Sequence, residues 1–151
     1  MRERGETLPP LWVCPRCGQR FAGTNMWHSC GPWTVEAFLE GKGARARELF
    51  EAFVALVREI GPFELSPAKT RVAFMVRVRF AAVLRLSDRG MTCSFWLKRR
   101  IRSPRLRKIE HLNANDWFYE FRVASSEELD DEVRGWLRES YEVGQQKHLL
   151  G

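Results

Sequence analysis

The chain has 151 residues, of which 44% are hydrophobic and 29% are charged, and its formal net charge is +6 at pH 7. This composition predicts one ordinary globular domain with a small addition. No uncharged apolar run approaches the ~20 residues of a membrane span, and the charged start lacks a stretch of the signal-peptide type. We therefore expect a cytoplasmic protein with reduced thiols and no membrane partner.

The first predicted element is a metal site near the start of the chain. Three of the four cysteines and one of the three histidines follow the pattern C-x2-C-x10-H-x-C. Thiolate and imidazole are the ligands of structural zinc, which takes four of them in a tetrahedron. Pro15 and Gly18 favour a tight turn that directs the first two thiolates at one ion. We predict one structural zinc ion per chain, held by Cys14, Cys17, His28 and Cys30.

Three other readings of this segment stay open: a disulfide, a redox pair and cysteines buried without metal. A reducing compartment disfavours the disulfide. A thioredoxin-like pair needs a helix N-terminus, whereas Gly18–Phe21 is typical of the return strand of a hairpin. We expect residues 8–33 to form a zinc-knuckle subdomain. Its tryptophans either pack onto the main domain or form an exposed platform for a base or peptide; they are Trp12, Trp27 and Trp33.

Two helices are predicted to open the main domain, residues 34–146. Thr34 is placed to cap a short helix over Val35–Glu40. Apolar residues at spacings of three and four predict a longer helix from Ala44 to Ile60, which Gly61 and Pro62 end.

Strands follow the two helices. Alternation over residues 71–80 predicts one strand with apolar residues on one face and mostly arginine on the other, or two strands with a break near Arg77–Arg79. The turn signal Ser87–Gly90 predicts a hairpin whose returning strand is Met91–Leu97, with Cys93 as a core residue.

The last part of the chain contains a basic segment, a hairpin and a helix. The sequence KRRIRSPRLRK at 98–108 predicts a loop or flap, and Ile109–Asn113 with Trp117–Val123 predicts the hairpin. Ser125 and Glu128 match a capping box for the final helix. Segregated helices and strands predict an α+β fold, with helices packed on a mostly antiparallel sheet.

Charge is distributed unevenly along the chain. Residues 65–109 contain thirteen Lys or Arg and one acid, whereas residues 110–144 contain three Arg and ten acids. Arginine forks suit phosphates, so we predict a polyanionic partner, DNA or RNA, bound without catalysis. The candidate residues are Lys69, Arg71, Arg77, Arg79, Arg85, Lys98, Arg99, Arg100, Arg102, Arg105, Arg107 and Lys108.

Four alternatives to nucleic-acid binding remain. The acidic final helix could neutralise the basic surface internally, or another protein could be the partner. A small-ligand or peptide pocket could be lined by Lys69, Arg79 and Trp96. Glu110, His111 and Asp116 could serve a hydrolase-type enzyme if they converged on a pocket.

Five segments in this order resemble a bacterial family described as domain of unknown function 5655. They are WVCPRCGQRF, WHSCG, GPFELSPAKT, RFA and ELDDEVRGWLRESY. The resemblance implies a zinc-binding front end on a small α+β domain, and it carries over no catalytic residues.

Overall fold

The computed structural model describes residues 8–16, 18, 20, 21 and 33–150. Two short 3-10 helices lie at Ser126–Glu128 and Lys147–Leu149. The other elements, in chain order, are β1 (Trp12–Val13), β2 (Arg20–Phe21), α1 (Val35–Leu39), α2 (Ala44–Ile60), β3 (Glu64–Pro67), β4 (Val72–Met75), β5 (Arg79–Ser87), β6 (Gly90–Leu97), β7 (Leu106–Asn113), β8 (Asp116–Val123) and α3 (Asp131–Gly144).

Six strands form one antiparallel sheet in the order β3-β4-β5-β6-β8-β7. Helices α2 and α3 pack on β5 and β6, and together they enclose one hydrophobic core. Phe95 lies at its centre, with its ring stacked 5.1 Å from Tyr119 and 5.2 Å from Trp136 of α3. Cys93 is fully buried beside it, as predicted, and burial raises the pKa of its thiol. The fold is therefore mixed α and β, as the segregated pattern predicted.

The bounds of α2 agree with the prediction, but its N-terminal cap comes from another element. Gly43 at the N-cap has no side chain, and the backbone N–H of Ala46 donates to Asp88 Oδ1 at 2.9 Å. Asp88 belongs to the turn between β5 and β6. A methyl group on Gly43 would lie 2.1 Å from Asp88 Oδ2, so the glycine leaves room for the carboxylate.

The alternating stretch 71–80 forms two strands, with the break at residues 76–78. The carbonyl of Gly144, at the end of α3, accepts hydrogen bonds from the N–H groups of Arg77 (2.9 Å) and Val78 (3.1 Å). These two donors are thereby withdrawn from the sheet ladder. Contrary to the predicted arginine face, Ala73 and Met75 of β4 are buried, so the arginines of this stretch lie outside β4.

Two boundaries near the end of the chain differ from the prediction. Strand β7 begins at Leu106, so Arg107 and Lys108 lie in a strand rather than in a loop. The capping box of Ser125 and Glu128 caps the N-terminus of a 3-10 helix. The N-terminus of α3 is capped by Asp130, whose side chain accepts from Val133 N at 3.3 Å. The last helix therefore begins later than its first capping signal.

The front segment forms a small hairpin in which Trp12 pairs with Phe21 and Val13 with Arg20. Cys14 is buried at its turn, and Gly18 (φ 78°) donates its N–H to Cys14 O at 2.9 Å. A turn was predicted at these residues; the part of the prediction that concerns the Cys17 thiolate lies outside the described residues.

The remaining predicted zinc ligands, Cys17, His28 and Cys30, lie outside the described residues, as does Trp27. Within the described ranges no three His, Cys, Asp or Glu side chains are grouped to hold a metal ion. The helices of those ranges include none long and apolar enough to cross a membrane.

Candidate functional site

Part of the predicted basic surface contacts the acidic side of α3. Arg99 makes a bidentate pair with Glu139, with both N–O distances at 2.9 Å, and this hydrogen bonding raises the pKa of Arg99. Arg105 Nη1 lies 2.8 Å from Asp130 and 3.4 Å from Glu132. For these two arginines the structure shows the internal neutralisation that was one of the alternatives.

Two lysines of the basic segment are also paired. Lys98 Nζ donates to Asp116 Oδ1 at 2.5 Å, and Lys108 Nζ lies 3.5 Å from Glu110. Burial alone would raise the pKa of Asp116, but hydrogen bonds from Lys98 and Asn113 lower it below its usual value. Asp116 is therefore ionised at neutral pH and compensates Lys98.

The loop between β6 and β7 is fixed at its start rather than being a free flap. The buried Tyr119 hydroxyl donates to Arg99 O at 2.9 Å and accepts from Ile101 N at 2.8 Å. Arg100 at this point lies over the ring of Trp117, 5.8 Å from its centroid. The two hydrogen bonds of Tyr119 tie the start of the loop to β8.

Apart from Arg85, the remaining predicted cations have no carboxylate within 4.0 Å among the described residues. Arg77 bonds to Gln146 Oε1 (3.0 Å) and Pro9 O (2.5 Å), and Arg79 lies over the Phe21 ring at 5.3 Å. These two arginines hold the front hairpin and the C-terminal turn to the sheet. Within the described residues, no ion pair, side-chain hydrogen bond or ring contact is made by Lys69, Arg71, Arg102 or Arg107.

Topology brings four cations from four parts of the chain around one groove of about 550 Å³, which we call the basic groove. Lys42 comes from the loop after α1, Lys69 from the turn before β4, Arg85 from β5 and Arg122 from β8. Lys69 and Arg85 belong to the predicted basic surface, whereas Lys42 and Arg122 do not. Lys42 and Arg122 are isolated in sequence, and Arg122 lies in the acidic third of the chain, so no local signal marked them.

The sheet register sets the spacing of the two arginines in the basic groove. Arg85 pairs with Thr92, and Thr92 pairs with Arg122, so all three lie in one row on one face. Because neighbouring strands are about 4.8 Å apart, the two arginine backbones are separated by about 10 Å. Arg122 Nη1 donates to Thr92 Oγ1 at 3.4 Å. A methyl group on Gly90 would lie 2.9 Å from Arg122 Nη2, so this glycine allows the guanidinium to approach the turn.

The charges of the basic groove are weakly compensated. Within the described residues, its one cation–carboxylate contact is between Arg85 and Glu120 at 3.9 Å, and the Arg85 side chain is 73% exposed. Glu40 is the sole acid among the lining residues, and Lys42 Nζ lies 5.0 Å from the centre of the Phe38 ring. A concave surface in which four cations outnumber one acid focuses a positive field and attracts anions. This groove can therefore hold phosphate or carboxylate groups.

The alternative catalytic trio is not brought together. Glu110 and His111 pair with Phe118 and Trp117, so their side chains face opposite sides of the sheet. The His111 ring is stacked on Trp117 at 3.9 Å, while Asp116 is bound to Lys98. The predicted pocket is likewise divided: Arg79 and Trp96 line one cavity, and Lys69 lines the basic groove at the other end of the sheet.

These features define a small mixed α/β protein with a six-stranded antiparallel sheet and a cationic groove at one end of it. A family model described as Domain of unknown function (DUF5655) matches residues 35–144, from the first residue of α1 to the last of α3, and the chain belongs to that family. No curated protein and no solved structure matches the chain. The match covers the sheet and the helices but not the cysteine cluster.

Proposed function

We propose that this protein is a binding module for a polyanion, and that it holds the phosphate backbone of DNA or RNA in the basic groove. The observation that carries the proposal is the convergence of four cations with a single long carboxylate contact among the described residues. Lys98, Arg99, Arg105 and Lys108 already have carboxylate partners, so they contribute less to binding than their number in the sequence suggests.

Salt dependence tests this proposal. Log K falls as log salt rises, and each phosphate that the protein neutralises makes this negative slope steeper by about 0.9 on duplex DNA and by about 0.7 on single strands. We expect the anisotropy of a labelled oligonucleotide to report binding at low salt that weakens steeply as salt rises. Substituting glutamine for all four groove cations should flatten the slope by about 3 on single strands. The four groove positions are Lys42, Lys69, Arg85 and Arg122.

A charge-matched control separates the groove from general basicity. Glutamine at Arg99, Arg102, Arg105 and Arg107 removes the same formal charge from the loop and β7, where two of the four arginines are already paired. We expect a clearly smaller change in slope for this control. Equal loss in both variants, or no binding by the wild-type protein at low salt, would contradict the proposal; the latter would favour a protein partner.

We also propose that one structural zinc ion is held by Cys14, Cys17, His28 and Cys30. The buried Cys14 and the turn closed by Gly18 support this assignment at the first ligand. The hydrophobic core of the described residues includes no residue before Val35, so the front hairpin draws little stability from that core. Metal binding supplies such stability in small zinc modules.

Metal analysis of protein purified without added metal tests the zinc proposal. We expect about one zinc per chain, and its loss in Cys14→Ser, because removal of one thiolate breaks a four-ligand site. Cys93→Ser is the matched control, since Cys93 lies in the core. Hydrogen exchange should show residues 8–16 loosened in Cys14→Ser while the sheet stays protected. Wild-type protein without zinc would rule the site out.

A further inference from the structure

A second cavity, which we call the aromatic cleft, lies at the end of the β5–β6 pair opposite the basic groove. Its volume is about 420 Å³, within the range usual for small-molecule sites. Three separate parts of the chain build it: the front hairpin, the ends of β5, β6 and β8, and the C-terminal turn. Its lining includes Phe21, Arg79, Trp96, Lys98, His148 and Leu149.

Most of the wall of the aromatic cleft is apolar, and two aromatic rings belong to it. Trp96 is held edge-on by Phe118 with the ring centroids 5.2 Å apart. Phe21 of β2 is buried and packs 6.0 Å from Trp12. Leu149 is 45% exposed and lines the same cavity. Flat rings held by packing provide surfaces for an aromatic ligand at low entropic cost.

Cationic groups are also part of the wall. Arg79 has no carboxylate within 4.0 Å among the described residues, and its guanidinium lies over Phe21. Burial and the charge of Arg71 lower the pKa of Arg79, so an anion beside it would be stabilised. Lys98 and Arg20 are further cations of the lining, and they are compensated by Asp116 and Glu64.

The imidazole of His148, which also lines the aromatic cleft, is neutral at pH 7. Burial, and then the charge of Lys98, lower the pKa of His148 below its usual value, against the opposing effect of Asp116. The cleft therefore has one uncompensated cation, Arg79, among its described lining residues.

The backbone at one side of the cleft is fixed in an uncommon conformation. Gln146 is buried and left-handed (φ 60°, ψ 34°), and among the described residues it is the non-glycine residue with positive φ. Its side chain accepts from Arg77 Nε at 3.0 Å, and its N–H donates to Val143 O at 2.9 Å. Gln146 directly follows the C-cap of α3, a position where a left-handed residue commonly ends a helix.

We propose that the aromatic cleft binds a small planar aromatic ligand that carries one negative group, a carboxylate or a phosphate. The ring lies against Trp96, and the negative group meets Arg79, whose guanidinium is supported by the Phe21 ring. This site is separate from the basic groove and does not depend on the proposed nucleic-acid binding.

The experiment uses 2-naphthoate and its neutral analogue 2-naphthylmethanol as probes, with the full-length ¹⁵N-labelled protein observed by NMR. We expect 2-naphthoate to shift the amide signals of residues 78–79, 96–98 and 146–149. It should bind about tenfold more tightly than the alcohol, because one charge-assisted hydrogen bond discriminates by about that factor. Arg79→Gln should remove this preference while the alcohol still binds.

Arg79→Gln also removes the contact between Arg79 and the Phe21 ring, so a second variant tests the aromatic cleft without changing Arg79. Leu149→Glu places a carboxylate at the exposed rim and should weaken 2-naphthoate binding by about tenfold. Leu112→Glu is its control, since Leu112 is 50% exposed on β7. Absence of shifts in the cleft, equal affinity of the two probes, or equal weakening by both variants would overturn the proposal.

Discussion

At the scale of single residues, the buried Ser140 hydroxyl bridges two backbone groups of β5 and β6 where direct pairing between these strands has ended. Pairing between β5 and β6 ends at Ala81 and Phe95, and α3 inserts Ser140 beyond that point. Its hydroxyl donates to Phe80 O at 2.5 Å and accepts from Trp96 N at 3.2 Å. One side chain thus satisfies two buried backbone groups and ties α3 to the two central strands.

Ser140→Ala should lower the free energy of unfolding by about 1–3 kcal/mol, because it leaves two buried backbone groups without a partner. Urea unfolding measures this change. Ser126→Ala on an exposed 3-10 turn is the control and should change stability by less than about 0.5 kcal/mol. A Ser140 variant as stable as the wild type would show that water or strand movement replaces the hydroxyl.

At the scale of elements, the cap of α2 ties a helix to a distant hairpin. Asp88→Ala should destabilise the protein by about 0.5–2 kcal/mol, because the helix then loses its side-chain acceptor at the N-terminus. Asp88→Asn keeps an acceptor and loses the charge. Its free energy of unfolding in urea should therefore lie between those of the wild type and Asp88→Ala. If alanine and asparagine cost the same, the charge rather than the hydrogen bond is what stabilises α2.

Helices and strands were predicted correctly where a single hydrophobic period, of helix or strand type, continues through the whole element. The apolar face of α2 includes Leu49, Phe53 and Val57, and all three are buried. Strand β3 was not predicted, because it is a short edge strand that ends in a proline, Pro67. The start of β7 was missed because its first residues belong to a run of cations that hides the alternation.

At the scale of the whole molecule, the separation of charge along the chain is resolved only by the fold. Sequence counts identified a basic middle and an acidic end, but could not say which cations the acids would meet. The structure places Arg99 and Arg105 against α3 and its cap. It also joins Lys42 and Arg122 to Lys69 and Arg85, a combination that depends on strand order and not on spacing in sequence.

The most direct measurement is an NMR footprint of a short single-stranded oligonucleotide on the full-length ¹⁵N-labelled protein at about 50 mM salt, a concentration at which phosphate contacts are strong. We predict that the largest shifts map to the basic groove, at residues 69–70, 85–87, 90 and 122, and fade together as salt is raised. Shifts centred on residues 98–108 or on the aromatic cleft, or no shifts at all, would contradict the assignment of the basic groove as the phosphate-binding site.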